Sequence, residues 1–406
     1  MSRRVRRVAL VALGSLGDLL PFYSLAKALG LRGLSPTILA SPLLERSLRG
    51  STELPLRAVG SMSLPISIRA APSSHVDCGQ YRLLLGSLAD ELRVGEVARS
   101  IEAYLAEERP LACVLHPFAV SARLACHRLK VPVVELNMYP CLHPGMASYP
   151  PVPYNVHGSD IEFGPWSEMI DHLGELQGCF DMVDQGQVTD CTVWSSIGNG
   201  GWSAYPTAMQ VAGAPVAIGL PTTDEGFLAG GATPPPSGAC RYVLTLGSLY
   251  RRDAAAFVRL IGRFSFLPAA SMAVVGCPLG AAAMLRPMRH IGYAEDGWVP
   301  LSKCLNAESV LISHGGINTL NEGLRAGCAQ IVLPHGLDTG WNGRALADAG
   351  LGMLLDPTSS PEELGEILRT DALLPIATHA YARRTSDVGA LGKWSRIVEA
   401  MCDRAN

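Results

Sequence analysis

The feature of this chain that most constrains its fold is a repeated alternation between short apolar runs and helical patterns. Strands are predicted at Val5–Leu13 and Thr37–Ala40, and the segment Leu19–Leu31 between them has apolar residues at helical spacing. The predicted strands Cys113–Leu115 and Val131–Leu136 enclose another helix. Strands that alternate with helices form a parallel sheet covered on both faces, so the pattern predicts an α/β fold.

The same alternation resumes in the second half of the chain. Strands are predicted there at Tyr242–Leu246, Met272–Val275, Val310–Ser313, Gln330–Leu333 and Gly352–Leu355. Helices are predicted between and after them at Ala254–Phe264, Asn318–Ala326, Trp341–Ala349 and Pro361–Arg369. A second parallel sheet with helices on its faces is therefore expected.

A proline-rich segment divides this alternation into two halves. Pro234, Pro235 and Pro236 are consecutive, and three prolines in a row fit neither a helix nor a central strand. The 406 residues are therefore expected to form two α/β domains, with a ligand site in the cleft between the carboxyl ends of their strands. The predicted units are an N-terminal domain at 1–228, a linker at 229–240, a C-terminal domain at 241–385, and a helix in 386–406 that packs back on the N-terminal domain.

Composition removes several functional classes. Hydrophobic residues make up 48% and charged residues 17%, which excludes a mostly disordered chain, and a net charge of −3 gives no reason to expect nucleic acid as a partner. The sequence has no run of about 18 apolar residues that could span a membrane. The 11 cysteines form no Cys-x-x-Cys pair, and the apolar run Val8–Leu13 is shorter than the core of a secretory signal, so we expect a cytoplasmic protein with reduced thiols.

The most informative segment is a glycine-containing turn between the predicted strand Val310–Ser313 and the predicted helix Asn318–Ala326. His314 follows the strand, and Gly315 and Gly316 let the backbone approach a ligand closely. The helix behind them offers unpaired N–H groups and the positive end of its dipole, so the turn predicts a diphosphate site. The alternative is a glycine-rich turn that binds nothing.

Polar residues near this turn favour the ligand-binding interpretation. Asn318 and Thr319 lie in the first helical turn, and Glu322 shares their face, where a carboxylate can accept hydrogen bonds from ribose hydroxyls. Asp338 and Asn342 follow a predicted strand at its carboxyl end, where ligand contacts are expected.

An aromatic residue and a pair of titratable residues complete the candidates. Trp298 lies in a predicted loop, from which it can stack on a nucleobase, although a tryptophan of the core is the alternative. Asp18 follows the first strand and is a candidate proton acceptor, whereas its place just before the predicted helix would equally suit an N-cap. His116 follows the strand Cys113–Leu115, where it could orient an acceptor or Asp18, or be purely structural.

Taken in order, Trp298, the segment His314–Glu322, Asp338 and Asn342 resemble the donor-binding signature of nucleotide-sugar-dependent glycosyltransferases of the GT-B fold. These include bacterial antibiotic glycosyltransferases and plant natural-product glucosyltransferases. The segment Gly14–Leu29 resembles the opening of the acceptor domain in the bacterial enzymes. The resemblance covers nearly the whole chain, but the region 60–230 contributes little to it.

The resemblance implies two Rossmann-like α/β domains and inverting transfer of a sugar from a nucleoside diphosphate to a small natural-product acceptor. Glu322 favours UDP over dTDP, because its carboxylate can accept from both ribose hydroxyls. The resemblance implies no metal ion and no cofactor, and we expect a monomer or homodimer. The residues it implies are Asp18 as general base; Trp298 and Val299 at the nucleobase; Glu322 at the ribose; Ser248, His314, Gly315, Gly316, Asn318, Thr319 and Asn342 at the diphosphate; and Asp338 with Thr339 at the sugar. His116 is a candidate from its position alone.

Two positions depart from the pattern of this family. Thr339 stands where the family usually has Gln beside the sugar-binding acid, and Leu301 stands where plant enzymes carry Gln. Glutamine has a side-chain amide that donates and accepts hydrogen bonds at once, whereas threonine has only a shorter hydroxyl. The usual recognition of glucose is therefore not implied for this chain.

Other functions are compatible with parts of the sequence. Same-fold nucleotide-sugar epimerases and lipid-linked-sugar transferases usually carry a Gly-Gly-x-Gly-Gly-His opening, which this chain lacks. A non-catalytic auxiliary protein with a glycosyltransferase-like fold would be expected to have a damaged donor signature. A dinucleotide oxidoreductase is disfavoured because no Gly-x-Gly-x-x-Gly follows either first strand.

Overall fold

The computed structural model describes two parallel β-sheets with helices packed against them. The described residues are 5–13, 16–42, 44–45, 53–60, 94–116, 119–137, 191–196, 217–219, 235, 239–247, 254–296, 299–334, 339–356, 359–369, 373, 376 and 390–404. The predicted α/β class with two Rossmann-like halves is confirmed.

The first sheet has seven parallel strands in the order β3-β2-β1-β4-β5-β6-β7. Its strands are β1 (Arg7–Ala12), β2 (Ser35–Ala40), β3 (Leu56–Ala58), β4 (Ala112–Leu115), β5 (Val133–Asn137), β6 (Cys191–Ser196) and β7 (Ala217–Gly219). The helices described with it are α1 (Leu16–Leu31), α2 (Val94–Glu108) and α3 (Val120–Leu129).

The second sheet has six parallel strands in the order β10-β9-β8-β11-β12-β13. Its strands are β8 (Tyr242–Thr245), β9 (Met272–Cys277), β10 (Ile291–Asp296), β11 (Val310–Ser313), β12 (Ala329–Val332) and β13 (Gly352–Leu354). The helices of this half are α4 (Ala254–Gly262), α5 (Ala281–Leu285), α6 (Leu301–Cys304), α7 (Ile317–Ala326), α8 (Thr339–Asp348) and α9 (Pro361–Arg369), and α10 (Ala390–Arg404) follows them.

Burial on both faces explains why the central strands are continuous apolar runs in the sequence. In β1, Val8 and Leu10 belong to one apolar cluster, whereas Ala9 and Val11 belong to the cluster on the opposite face. Every residue of β8, β11 and β12 is buried. The sequence alternation that predicted the strands therefore reflects helices covering each sheet on both sides.

In both sheets the strand order reverses at the first strand of the half. β1 lies between β2 and β4, and β8 lies between β9 and β11. In open α/β sheets, ligands bind outside the carboxyl ends of the strands at this kind of switch point. The topology therefore places one candidate crevice after β1 and β4, and a second after β8 and β11.

The two halves share one continuous apolar cluster. Leu320 and Leu324 of α7 belong to the same cluster as Phe22 of α1 and Val398 of α10. Helix α10 packs against α1 and β4, and its Glu399 accepts a hydrogen bond from Nε of Arg32 at 2.8 Å. A chain segment that follows the second sheet thus completes the core of the first.

Some expectations for particular elements are wrong or remain predictions. Helix α1 begins at Leu16, three residues before its predicted start, because Gly17 and Asp18 already belong to its first turn. The strand expected from Val5 begins at Arg7, and the helix expected to reach Phe264 ends at Gly262. The exact domain boundaries stay predictions, since only residues 235, 239 and 240 of the linker are described.

The described part of the chain also bears on the expectations for membrane spans and for cysteines. None of its helices is both long enough and apolar enough to cross a membrane. Among its cysteines, those that are buried free thiols are Cys113, Cys126, Cys240, Cys277, Cys304, Cys328 and Cys402.

Candidate functional site

The crevice of the first sheet brings Asp18 and His116 together. Asp18 lies in the first turn of α1 after β1, and His116 directly follows β4. Nε2 of His116 lies 3.4 Å from Oδ1 of Asp18, with 1% of the His116 side chain and 16% of the Asp18 side chain exposed. A carboxylate and an imidazole in such contact can share and transfer a proton.

Backbone and packing contacts fix the imidazole of this pair. The His116 N–H donates to the carbonyl of Val11 at 3.1 Å, and the His116 carbonyl accepts from the N–H of Ala119 at 2.9 Å. The Phe22 ring lies against the imidazole, with 6.3 Å between ring centroids. His116 is therefore held between β1, β4 and α1 and meets Asp18 in a set orientation.

The position of Asp18 within α1 corrects the capping alternative. Because the helix begins at Leu16, Asp18 is its third residue and does not occupy the N-cap position. A carboxylate in the first turn still interacts favourably with the helix dipole. Its side chain is nevertheless directed to His116, a contact that capping does not require.

The crevice of the second sheet is built around His314, which directly follows β11. The residue keeps some contact with solvent, but its Nδ1 is buried and forms no hydrogen bond with any residue that the structure describes. Burial lowers the pKa of His314 to about 4. The imidazole is therefore neutral near pH 7 and offers one N–H donor without a positive charge.

The glycines around His314 are required by the protein's own packing. A Cβ at Gly247 would lie 2.5 Å from Cε1 of His314, and a Cβ at Gly316 would lie 2.6 Å from its Nε2. Gly315 has φ +92°, and a Cβ there would lie 2.6 Å from the carbonyl oxygen of Thr339. The imidazole and α8 therefore require glycine at 315 and 316, and the close approach of a ligand to these residues stays a prediction.

Two polar side chains hold this turn in place. Nδ2 of Asn342 donates to the carbonyl of Gly315 at 3.1 Å, and Oγ of Ser313 accepts from the Gly315 N–H at 3.2 Å. Asn342 is fully buried and Thr339 is 3% exposed, so both are enclosed where α8 packs. The amide of Asn342 thus orients the turn that was predicted to meet the diphosphate.

The two residues predicted in the first turn of α7 behave differently. Nδ2 of Asn318 donates to the carbonyl of Gly17 at 2.6 Å, which joins α7 to α1. Thr319 is half-buried on the same turn. The start of α7 therefore contacts Gly17, the residue that precedes Asp18.

Glu322 has a partner that its predicted role did not include. Its carboxylate forms an ion pair with Arg325 on the next turn of α7, and the two side chains are 5% and 14% exposed. The spacing of Glu322 and Arg325 on one helix face was the signal that could have revealed this pair. Val299 is buried in an apolar cluster with Val243 and Leu301, so its side chain belongs to the core.

Three predicted site residues lie outside the described residues. They are Ser248, Trp298 and Asp338, and their roles stay predictions. Within the described ranges, no three His, Cys, Asp or Glu side chains come together in a way that could hold a metal ion.

A stretch within the second half of the chain matches a known family model. Residues 291–387 match the C-terminal domain of proteins like erythromycin biosynthesis protein CIII. This stretch includes β11, α7 and α8, which form the crevice around His314. No curated protein sequence matches the chain significantly.

Solved structures match the chain over nearly its whole length. The kitacinnamycin glycotransferase has a TM-score of 0.68 at 18% identity, covering 98% of this chain and 100% of its own. CalG4, the calicheamicin glycosyltransferase, has a TM-score of 0.67 at 18% identity and covers 99% of both chains. VinC in complex with dTDP has a TM-score of 0.67 at 17% identity, covering 98% of this chain and 100% of its own. This protein has the GT-B fold. The resemblance drawn from the sequence is thereby confirmed for the fold.

Proposed function

We propose that this protein is an inverting, metal-independent glycosyltransferase of natural-product biosynthesis, transferring a hexose-type sugar from a nucleoside diphosphate to a small acceptor. One observation carries the proposal. The hydrogen bond from Asn318 to Gly17 places the candidate base Asp18 beside the helix that opens at His314, Gly315 and Gly316. A proton acceptor and a candidate anion-binding turn on opposite sides of one cleft are what in-line sugar transfer requires.

In the proposed step, the acceptor hydroxyl attacks the anomeric carbon of the sugar, and its proton passes to the carboxylate of Asp18. The bond from the anomeric carbon to the diphosphate oxygen breaks, and negative charge develops on the departing diphosphate. N–H groups at the start of α7 and the neutral imidazole of His314 stabilise that charge.

His116 supports Asp18 in this scheme. Its Nε2 lies 3.4 Å from the Asp18 carboxylate and its side chain is almost fully buried, so it orients the carboxylate and can share the proton taken from the acceptor. His116 is thus a positioning residue with access to the proton, and Asp18 is the group that contacts the acceptor.

For the nucleotide, we propose that UDP is preferred to dTDP, with Glu322 accepting from the ribose hydroxyls. Arg325 already pairs with Glu322, so loss of the 2′-hydroxyl does not leave the carboxylate without a partner. The expected preference is therefore only about 3- to 10-fold, the equivalent of one net hydrogen bond. VinC in complex with dTDP is an example of the opposite choice within the same fold.

The remaining roles in the proposal come from the resemblance. Trp298 and Val299 bind the base, Ser248, Thr319 and the glycine turn bind the diphosphate, and Asp338 with Thr339 reads the sugar. A rhamnosyltransferase of the same fold, SpnG, is known in complex with the spinosyn aglycone, which supports a natural-product acceptor. The buried free thiols support a cytoplasmic location, and we expect a monomer or homodimer.

The test combines binding with turnover on the full chain. UDP, dTDP and their sugar conjugates are titrated while the melting temperature is recorded, because a ligand at 100 times its Kd stabilises by about 2.7 kcal/mol. Release of the nucleoside diphosphate is then followed with a panel of aglycones. Nucleotide-dependent stabilisation with sugar transfer supports the proposal. Stabilisation without transfer to any aglycone favours the non-catalytic auxiliary protein, and no stabilisation by any nucleotide refutes the proposal.

A further inference from the structure

The hydrogen bond between Asn318 and Gly17 depends on a proline in α1. Pro21 lies inside this helix, as its sixth residue. In an α-helix, the carbonyl of residue 17 accepts from the N–H of residue 21, but proline has no amide hydrogen. The ring of a helical proline also crowds the carbonyl four residues before it. The carbonyl of Gly17 therefore lacks its ordinary partner within α1.

The missing donor comes from the other half of the molecule. Nδ2 of Asn318 lies 2.6 Å from the Gly17 oxygen, although 301 positions separate the two residues in sequence. Asn318 is in the first turn of α7, next to the turn at His314. Gly17 immediately precedes Asp18, whose carboxylate meets His116.

We propose that Asn318 is a positioning residue for the base: its amide takes the carbonyl that Pro21 leaves without a helical donor, and so holds the turn bearing Asp18 against the donor-side helix. The inference rests on the proposed function for the role of Asp18. In this proposal the Asn318 amide positions the base, in place of the hydrogen bond to the diphosphate that the resemblance implies. Pro21 gains a role as well, because a residue with an N–H at this place would compete for the same carbonyl.

The inference predicts a specific split in the kinetics. Asn318→Ala and the nearly isosteric, uncharged Asn318→Leu both remove the donor, so the turn at Asp18 loses its hydrogen bond to α7. Turnover is expected to fall by about 3- to 10-fold, the equivalent of one net hydrogen bond, while the Kd for UDP changes less than about 2-fold. Asn318→Leu keeps nearly the same side-chain shape, suits a helix and adds no charge beside the candidate diphosphate site, so this variant covers the case in which alanine disturbs the fold.

A double-mutant cycle tests the link to Pro21. Pro21→Ala restores an N–H that can bond the Gly17 carbonyl and raises helix propensity, so this variant is expected to fold. In that background, Asn318→Ala should cost about half as much or less, in both turnover and free energy of unfolding, as it does in the unaltered chain. Asn306→Ala is the matched control and should show no coupling to Pro21→Ala, because the Asn306 side chain bonds Glu308 and Ser309 in the loop before β11.

Each outcome of this experiment decides the inference. Reduced turnover with retained UDP affinity and a coupled cycle supports it. A large rise in the Kd for UDP with unchanged turnover makes Asn318 a diphosphate ligand and overturns it, and so does an additive cycle. If the unaltered protein transfers no sugar, the proposed function fails and the positioning role with it. That result is distinguishable, because the cycle in the free energy of unfolding still reports whether the contact forms.

Discussion

Two histidines follow β4 and β11, and their surroundings give them different chemistry. Nε2 of His116 lies 3.4 Å from Oδ1 of Asp18, whereas His314 is a histidine whose pKa burial lowers to about 4. A carboxylate beside an imidazole can exchange a proton with it, whereas an imidazole that is buried without a carboxylate beside it stays neutral. The first histidine therefore suits proton transfer and the second suits hydrogen bonding to an anion.

The lowered pKa of His314 predicts a stability that depends on pH. Because the pKa is about 4 when folded and 6.5 when unfolded, the unfolded chain binds more protons between these values. The contribution of the neutral His314 imidazole to the free energy of unfolding is fully present above pH 6.5 and is lost as the pH falls toward 4. At pH 5 the loss is expected to be about 1–2 kcal/mol relative to pH 7, because solvent around the partly accessible ring reduces the full effect.

The measurement is urea unfolding at pH 7 and pH 5 for the unaltered protein and for His314→Gln. The variant should lose less stability on acidification by about the amount stated, since its side chain does not titrate. His290, whose pKa is also lowered by burial, is present in both proteins and cancels in the comparison. Equal losses in the two proteins would show that His314 is not held as a neutral imidazole.

Asp18→Asn tests the base at the same scale. Asparagine has nearly the same shape but cannot accept the acceptor's proton, so turnover is expected to fall by about 10²- to 10⁴-fold. The melting temperature and the Kd for UDP should change little, because Asp18 is neither an N-cap nor a proposed nucleotide contact. Near-normal turnover in this variant would move the role of base to His116.

Among the elements, the turn into α7 depends most on the absence of side chains. Gly315→Ala combines a left-handed φ of +92° with a Cβ that would lie 2.6 Å from the Thr339 carbonyl oxygen. A loss of about 2–4 kcal/mol in unfolding free energy is expected, together with weaker UDP binding. Gly30→Ala in α1 is the control, because a Cβ there meets nothing within 4 Å and alanine raises helix propensity.

Unfolding by denaturant, with UDP titration of the same samples, distinguishes the two variants. Gly30→Ala should be unchanged or more stable by about 0.5–1 kcal/mol. If Gly315→Ala were equally stable, the packing of the turn against α8 would not be as described.

Elements with a strong apolar pattern could be predicted from the sequence, but the edge strand β10 could not. The bounds of β11 and α9 agree with the sequence interpretation, because β11 is buried on both faces and α9 begins at Pro361. The edge strand β10 was not among the predicted strands, since it is only partly buried and ends in Glu295 and Asp296.

The residues of the candidate site divide in the same way. The order of the strands brings Asp18 and His116 together, so recognising a Rossmann-like pattern was enough to place both at one edge. Asn318 and Asn342 instead donate to the carbonyls of Gly17 and Gly315. Bonds between positions so far apart in sequence depend on how the elements pack, and spacing along the chain does not reveal them.

At the scale of the whole molecule, the apolar contacts of α10 are expected to contribute more to stability than its ion pairs do. Ending the chain after residue 389 removes Val398, Met401 and Cys402 from the cluster shared with α1. Burial of side chains of this size contributes about 1.5–3 kcal/mol each, so the truncated protein should lose about 5 kcal/mol of stability. Arg32→Ala breaks only the partly exposed pair with Glu399 and should cost less than about 1 kcal/mol.

Thermal unfolding of the two variants beside the full chain gives the comparison. A truncated protein that melts at the temperature of the full chain would mean that α10 is dispensable to the first core. A loss in Arg32→Ala as large as that in the truncation would assign the effect to charge, contrary to the apolar contacts.

The packing of α10 on α1 also determines when the first half of the protein can finish folding. Ribosomes add about 5–20 residues per second, so α1 and β4 emerge tens of seconds before the helix that packs against them. During that interval the nascent chain presents an uncovered apolar face to chaperones and to neighbouring chains. Translation of the entire second sheet must be completed before the first sheet acquires its last helix.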